Sequence, residues 1–229
     1  MQGAFGEREI VQLGALPTLS PDGKQLVFEH RGDLWSASIK GGKAERLTSH
    51  PAFDTHPVFS PDGKELAFVS KRDGSWQTYV MPSAGGLPEQ LSFHSDGGTP
   101  YAWFPDGKSL LIRGYGAAKG LMQGRFFKIS RTERRGEEML FDGYAHEISL
   151  SPDGKQLLFT SIGSRLYRRG YKGSLASRIW LRNLETGRRP KLPIRSTIGG
   201  EGPFNSHCHF ASYCNIDEHQ QSVINVDPH

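Results

Sequence analysis

The chain has 229 residues, 36% of them hydrophobic, so it is long enough to bury a sizeable core. Its formal net charge of +4 divides into −3 over residues 1–112, +11 over 113–195 and −4 over 196–229. No apolar stretch approaches the roughly 20 residues of a membrane-spanning helix, and residues 1–20 lack the apolar region of a signal peptide. We therefore expect no membrane partner and favour a cytoplasmic location.

A five-residue turn motif occurs four times along the chain. Its copies are Ser20–Lys24, Ser60–Lys64, Phe104–Lys108 and Ser151–Lys155, and each contains Pro-Asp-Gly-Lys. Proline presets φ, the aspartate side chain can bond the backbone, and glycine supplies the positive φ that returns the chain. Each copy therefore predicts a β-hairpin, and a repeat of roughly 40–50 residues is typical of a modular array.

The residues around each turn predict short strands. In the first repeat these are Gln25–Phe28, Asp33–Ile39 and Ala44–Leu47; in the second they are Pro57–Phe59, Glu65–Val69, Trp76–Met81 and Leu87–Leu91. Further strands are predicted at Arg125–Ile129 and Arg178–Leu181. We align Asp33–Trp35 with Thr78–Val80, and Arg46–Thr48 with Gln90–Ser92, as equivalent strands of the two repeats.

Four short antiparallel strands per repeat predict an all-β fold, a β-propeller of four-stranded antiparallel blades. About four blades are expected, at 16–50, 56–93, 100–142 and 146–193, within a propeller region 1–195. A solenoid of helix pairs is excluded because no window has helical periodicity, and 28 glycines with 14 prolines would break such helices. Two lengthened loops, 115–124 and 161–177, are either binding loops or decoration without a ligand.

The last 34 residues, 196–229, depart from the repeat. They contain no Lys or Arg, both cysteines and four of the nine histidines. A metal site built from His207, Cys208, His209, Cys214 and His219 is one interpretation, but Cys-x5-Cys is not a zinc-knuckle interval. We favour an atypical tail, degenerate or poorly ordered, with no metal. With two cysteines the redox compartment stays open.

Motifs that would carry catalysis are incomplete. His146-Glu147 begins like a zincin motif, but Leu150 stands where the second histidine is needed. The glycine-rich run 114–120 is spaced one residue too long for a dinucleotide loop and is not followed by a helical pattern. The repeated aspartates Asp22, Asp62, Asp106 and Asp153 belong to turns, where a structural role is expected. We therefore predict no catalytic, cofactor-binding or metal-binding residues and no cofactor.

A basic segment interrupts the fourth repeat. It contains Arg165, Arg168, Arg169, Lys172 and Arg178, with Tyr167 and Tyr171 between them. Such a segment can bind phosphates or acidic peptides, but a solvated loop, or one that pairs with acidic partners in a larger protein, has the same composition. We expect no nucleic-acid partner.

The repeat resembles the propeller repeats of TolB and of the tricorn protease family. The resemblance rests on Ser-Pro-Asp-Gly-Lys-x-Leu-x-Phe, Gly32–Trp35, Gly41-Gly42 and Arg46–Thr48. Three further stretches look like the N-terminal propeller of tricorn-like serine peptidases, namely Tyr79–Gly86, Gln90–His94 and Arg169–Ser174 leading into Ile179–Leu181. The likeness covers about residues 13–193.

The resemblance implies a non-catalytic module that gates or docks peptide or protein substrates. In the family a separate C-terminal domain carries the serine nucleophile, usually after a PDZ module, and this chain contains neither. Family propellers have six or seven blades, so we expect a truncated array of four. The alternatives left open are a free-standing TolB-like interaction scaffold and, more distantly, an enzyme with its site in the propeller channel.

Overall fold

The computed structural model describes residues 16–93, 97–114, 124–133, 136–141, 145–161 and 178–188. In these ranges all the regular secondary structure is β-strand. The chain divides into two compact units, one ending at Pro100 and the other beginning at Tyr101. The tail 196–229, and most of the two lengthened loops, lie outside the described residues.

In the described ranges, fifteen strands form four antiparallel sheets in chain order. The first sheet contains β1 (Thr18–Leu19), β2 (Gln25–His30), β3 (Asp33–Ser38) and β4 (Glu45–Arg46). The second contains β5 (Asp54–Phe59), β6 (Glu65–Ser70), β7 (Gln77–Pro82) and β8 (Glu89–Gln90). The third contains β9 (Thr99–Trp103), β10 (Ser109–Gly114), β11 (Arg125–Ser130) and β12 (Glu138–Met139). The fourth contains β13 (Ala145–Leu150), β14 (Gln156–Ser161) and β15 (Arg178–Asn183).

The predicted fold class is confirmed: these are blade-like sheets of the β-propeller type, each a meander of adjacent strands. Three sheets have four strands, and the fourth has three within the part of the chain that the structure describes. The Pro-Asp-Gly-Lys turns join the first and second strands of every sheet. Each turn therefore has the hairpin position that its composition predicts.

Our alignment of β3 with β7 was wrong by one residue. The backbone N–H of Leu34 donates to Thr48 Oγ1 at 3.0 Å, and the backbone N–H of Thr78 donates to Ser92 Oγ at 2.8 Å. Leu34 is therefore equivalent to Thr78, whereas the alignment of β4 with β8 is correct. Because side chains alternate along a strand, a one-residue error assigns every residue to the wrong face of the sheet.

Each unit has one apolar core between its two consecutive sheets. In the first unit, Val27 and Leu34 of the first sheet pack with Phe68, Tyr79 and their neighbours on one face of the second. In the second unit the core is rich in aromatic rings. It contains Phe104, Leu111, Phe126, Phe141, Ala145, Ile148, Leu157 and Phe159. Since one blade cannot bury both faces of its sheet, this stacking provides most of the hydrophobic stabilisation.

The first strands of the second and fourth sheets each carry a bulge that the sequence did not reveal. The register of β5 shifts between Thr55 and Val58, and that of β13 shifts between Ala145 and Ile148. Within the first bulge His56 has φ of 54°, and Leu16, which also stands four residues before a turn serine, has φ of 70°. A positive φ is unfavourable for residues with a Cβ, so the first two repeats store backbone strain at this position.

Candidate interaction surfaces

Every sheet has two chemically different ends. We call the end with the Pro-Asp-Gly-Lys turn the turn end, and the opposite end, where the loop between the second and third strands lies, the loop end. At all four turn ends the residue after the third strand donates its N–H to the carbonyl of the turn lysine; for example, Ser83 donates to Lys64 at 2.8 Å. Both lengthened loops predicted from the sequence connect second and third strands, so their ends lie at loop ends.

The turn aspartates hold the backbone of the turn. Asp22 Oδ1 accepts bonds from the Ser20 hydroxyl at 2.7 Å and from the Lys24 N–H at 3.1 Å. Asp62 and Asp153 repeat this arrangement with the serine and lysine of their own turns. The serine hydroxyl, followed by the lysine N–H, lowers the pKa of Asp22, Asp62 and Asp153 below the ordinary 3.8, because these bonds favour the charged carboxylate.

Consecutive turns also interlock. A Cβ added to Gly154 would lie 2.7 Å from Cδ of Pro105, the proline of the preceding turn. The first unit has the same arrangement, with 3.5 Å between a Cβ on Gly63 and Cδ of Pro21. At Gly154 glycine is therefore needed for close approach as well as for its positive φ, whereas the 3.5 Å at Gly63 is an ordinary van der Waals distance. The sequence predicted only the second role.

The turn end of the second unit contains a groove of about 660 Å³. Phe104, Pro105, Leu140 and Leu184 supply its apolar wall, and six charged residues surround it, namely Asp106, Lys128, Glu138, Asp153, Lys155 and Glu185. Phe104 stands where the other three turns have serine. The Lys128 ammonium lies 4.7 Å from the centroid of the Phe104 ring, and Lys155 pairs with Glu185 at 3.2 Å.

The loop end of the second sheet is held by a buried ion pair. Arg72 Nη2 donates to both carboxylate oxygens of Asp54 at 2.9 Å, and the Asp54 side chain is fully buried. The guanidinium lies over the rings of Phe68 and Tyr79, and the Tyr79 hydroxyl donates to Asp73. Burial, followed by the bond to Asp73, raises the pKa of Tyr79, so the phenol stays neutral and donates.

Two contacts at loop ends of the first unit each pair an aromatic side chain with a glycine, and the aromatic residue and the glycine occupy opposite positions of the repeat in the two contacts. Phe53 packs on Gly32, where an added Cβ would lie 2.8 Å from the ring, whereas Trp76 stands in the place of Gly32 and packs on Gly97. The same backbone bond marks both junctions: Asp54 donates to Gly32 O at 2.8 Å, and Gly98 donates to Trp76 O at 2.7 Å. Phe53 is 60% exposed and Trp76 is 38% exposed, so each junction presents one aromatic side chain at the loop end.

Most of the residues that the sequence analysis considered for a metal site or a basic binding segment lie outside the described residues. This holds for the tail residues His207, Cys208, His209, Cys214 and His219, and for Arg165, Arg168, Arg169 and Lys172. His146 and Glu147 lie on β13, and Arg178 begins β15, but their side chains are outside the description. In the described ranges, no group of three or more His, Cys, Asp or Glu residues could hold a metal ion. Nor does that part of the chain contain a helix long and apolar enough to cross a membrane.

The sheets and their turns define a repeat module of the β-propeller class. Residues 13–201 match the model of the tricorn protease N-terminal β-propeller domain. The chain therefore belongs to the family of tricorn protease N-terminal propellers, within the TolB-like and tricorn-like group.

Individual relatives agree with this assignment. Tricorn protease homolog 1 of Streptomyces coelicolor is 25% identical over 173 residues, which are 75% of this chain and 16% of that protein. A solved structure of TolB from Agrobacterium tumefaciens matches with a TM-score of 0.64 at 25% identity, covering 79% of this chain and 61% of the other. The crystal structure of the tricorn protease shares the fold, with a TM-score of 0.59 at 10% identity, over 80% of this chain and 17% of the other. The chain thus spans less than two thirds of each relative.

Proposed function

We propose that this chain is a non-catalytic docking module that admits or positions unfolded polypeptide for a tricorn-like peptidase. The observation that carries the proposal is the family match over residues 13–201, together with the identity to a tricorn protease homolog. In this proposal the catalytic residues belong to another part of the protein. The chain supplies a rigid set of sheets with binding groups at their ends.

The geometry of the sheet ends supports a docking role. Exposed aromatic side chains at the loop end, such as Phe53 and Trp76, are anchored on glycines and by backbone bonds, so they lose little freedom when a ligand binds. The groove at the turn end of the second unit offers an apolar wall beside charged groups. Both features suit an extended polypeptide, which presents apolar and charged side chains at short intervals.

A free-standing TolB-like scaffold that binds a folded partner is the second candidate. It is supported by the similarity to the Agrobacterium TolB structure, which matches with a TM-score of 0.64 at 25% identity. The two candidates differ in their ligand: the first binds unfolded polypeptide, and the second binds a folded surface.

The test uses the purified chain and one protein in two states. Fluorescently labelled α-lactalbumin, either folded or reduced and carboxymethylated, is titrated with the chain while anisotropy is recorded. The docking proposal expects binding of the unfolded form only, and an unchanged ligand mass after prolonged incubation. Binding of neither form, or equal binding of both forms, would remove the docking role. Ligand fragments whose amount increases with chain concentration would remove the non-catalytic assignment.

A further inference from the structure

The groove at the turn end of the second unit has enlarged side chains at positions that are small in the first unit. Equivalent positions follow from the strand registers and from the bond that the residue after the third strand donates to the turn lysine. Phe104, Lys128, Leu184 and Glu185 thus correspond to Ser20, Ser36, Ser83 and Ala84. Small residues suffice at these positions in the first unit, so the larger ones add a surface that the repeat does not require.

The charge pairing in the groove also differs from that of the first unit. In the first unit each turn lysine pairs with the aspartate of its own turn, Lys24 with Asp22 at 3.3 Å and Lys64 with Asp62 at 3.5 Å. In the fourth turn Lys155 instead pairs with Glu185 at 3.2 Å. The second lysine of the groove, Lys128, lies over the Phe104 ring.

Two carboxylates of the groove, Asp106 and Glu138, form no ion pair with a lysine or arginine of the described ranges. Asp153 forms no such pair there either, but the pKa of its carboxyl is lowered by the Ser151 hydroxyl, the Lys155 N–H and, more weakly, the charge of Lys155. The groove therefore carries four carboxylates against two lysines, and both lysines are already engaged. Its electrostatic complement is a cation.

We propose that this groove binds the side chain of a lysine or arginine in an extended polypeptide. The aliphatic stem packs on Phe104, Leu140 and Leu184, and the cationic head meets the carboxylates of Asp106, Glu138 and Asp153. Long basic side chains bury their methylene groups on apolar surface while the charged head stays at the rim. The volume of about 660 Å³ lies within the usual range of roughly 300–1,000 Å³ for ligand pockets.

This inference rests on the proposed function, because it names the kind of polypeptide segment that the module prefers. Basic segments would dock by the groove, and acidic segments would be repelled by its excess of carboxylates. The preference is expected to weaken with added salt, since the carboxylates lie near the surface.

The experiment compares two unstructured peptides with matched charge variants of the full chain. The peptides contain Gly, Ser and Leu, with either Lys or Glu at the same positions, and binding is followed by fluorescence anisotropy. Glu138→Lys reverses a charge in the groove. Glu45→Lys is the matched control, because Glu45 begins β4 as Glu138 begins β12, and both side chains are exposed.

The native chain is expected to bind the Lys peptide about tenfold more tightly than the Glu peptide at low salt. Glu138→Lys should weaken Lys-peptide binding by about five- to tenfold, while Glu45→Lys changes it by less than about twofold. Equal binding of the two peptides, or equal effects of the two variants, would overturn the proposal that the groove binds basic side chains.

Unfolded α-lactalbumin separates this inference from the proposed function. If the native chain and both variants bind it with equal affinity, the proposal for the groove is rejected and the docking role stands. If the native chain does not bind it, the docking role is rejected, and binding of the Lys peptide alone still tests the proposal for the groove.

Discussion

The first and third sheets use the same position of the repeat in opposite ways. In the first sheet Thr48 stands after the outer strand and accepts the N–H of Leu34, and in the second sheet Ser92 does the same for Thr78. In the third sheet the equivalent residue is Phe141, which stacks on Phe159 with ring centroids 4.8 Å apart. One position therefore serves either as a hydrogen-bond lock or as part of an aromatic core.

The repeat thus specifies the path of the chain more strictly than the interactions that stabilise it. The third sheet also has Phe104 in place of the turn serine, so it has exchanged two hydroxyl groups for core aromatic rings. Hydrogen bonds fix geometry at a modest net gain, whereas buried rings contribute more free energy and tolerate less truncation. Substitutions at matched positions of the two units test this difference.

The largest expected effect is that of Phe141→Ala. Removing a buried ring that stacks between Phe126 and Phe159 should lower the free energy of unfolding by about 3–5 kcal/mol. The matched variant Thr48→Ala should cost about 1–2 kcal/mol, because it leaves the N–H of Leu34 without its partner. Urea unfolding, monitored by hydrogen exchange in each unit, measures the free energy of unfolding of both variants. Equal losses of this free energy in the two variants would contradict the difference between the units.

Arg72→Ala is expected to cost about 3 kcal/mol, since it leaves the buried Asp54 carboxylate without its bidentate partner. Its control is Arg46→Ala in the first sheet. Arg46 is 45% exposed in its pair with Asp33, so its loss should cost no more than about 1 kcal/mol. Chemical denaturation gives the loss in free energy of unfolding for each variant. A larger loss for Arg46→Ala than for Arg72→Ala would show that solvent, not Asp54, stabilises Arg72.

Gly154→Ala tests the interlock of consecutive turns. We expect a loss of about 2 kcal/mol, because the new Cβ meets a positive φ of 72° and the ring of Pro105. Gly23→Ala is matched in φ, at 69°, but nothing lies within 4 Å of its Cβ, so about 1 kcal/mol is expected. Thermal unfolding of both variants separates the strain of a positive φ from steric crowding. Identical shifts of the melting temperature would exclude a contribution from the contact between Gly154 and Pro105.

The smallest effect is a pH dependence shared by three turns. The lowered pKa values of Asp22, Asp62 and Asp153 stabilise the folded state above pH 3.8, and this stabilisation is lost as the pH falls through the still lower folded-state values. Changing all three to Asn should flatten the fall of the melting temperature below pH 3.8. An unchanged acid slope would show that the turn bonds do not favour the carboxylate.

Much of the fold could be predicted because the Pro-Asp-Gly-Lys turn encodes its conformation locally. The strand pairing followed from the turn spacing, yet the one-residue error at β3 shows where local pattern fails. The Gly-Gly pairs at Gly41 and Gly85 are offset by 44 residues, the offset that also relates Leu34 to Thr78. That offset was the available signal, and the alternation of apolar residues alone could not supply it.

The candidate surfaces were less predictable, because they depend on residues brought together across sheets. The exchange of Phe53 on Gly32 for Trp76 on Gly97 joins positions far apart in the sequence. The groove likewise combines Phe104 and Lys128 of the third sheet with Lys155 and Glu185 of the fourth. Of the residues that form the groove, Phe104 alone was visible in the sequence as a departure from the repeat, because it stands in place of the turn serine.

Hydrogen exchange of the full chain, with and without saturating unfolded α-lactalbumin, tests the docking account most directly. We predict slower exchange with ligand in segments 104–108, 136–141 and 151–156, which surround the groove, and little change at the matched segments 20–24 and 45–48. Unchanged exchange throughout the chain at saturating ligand would contradict the account.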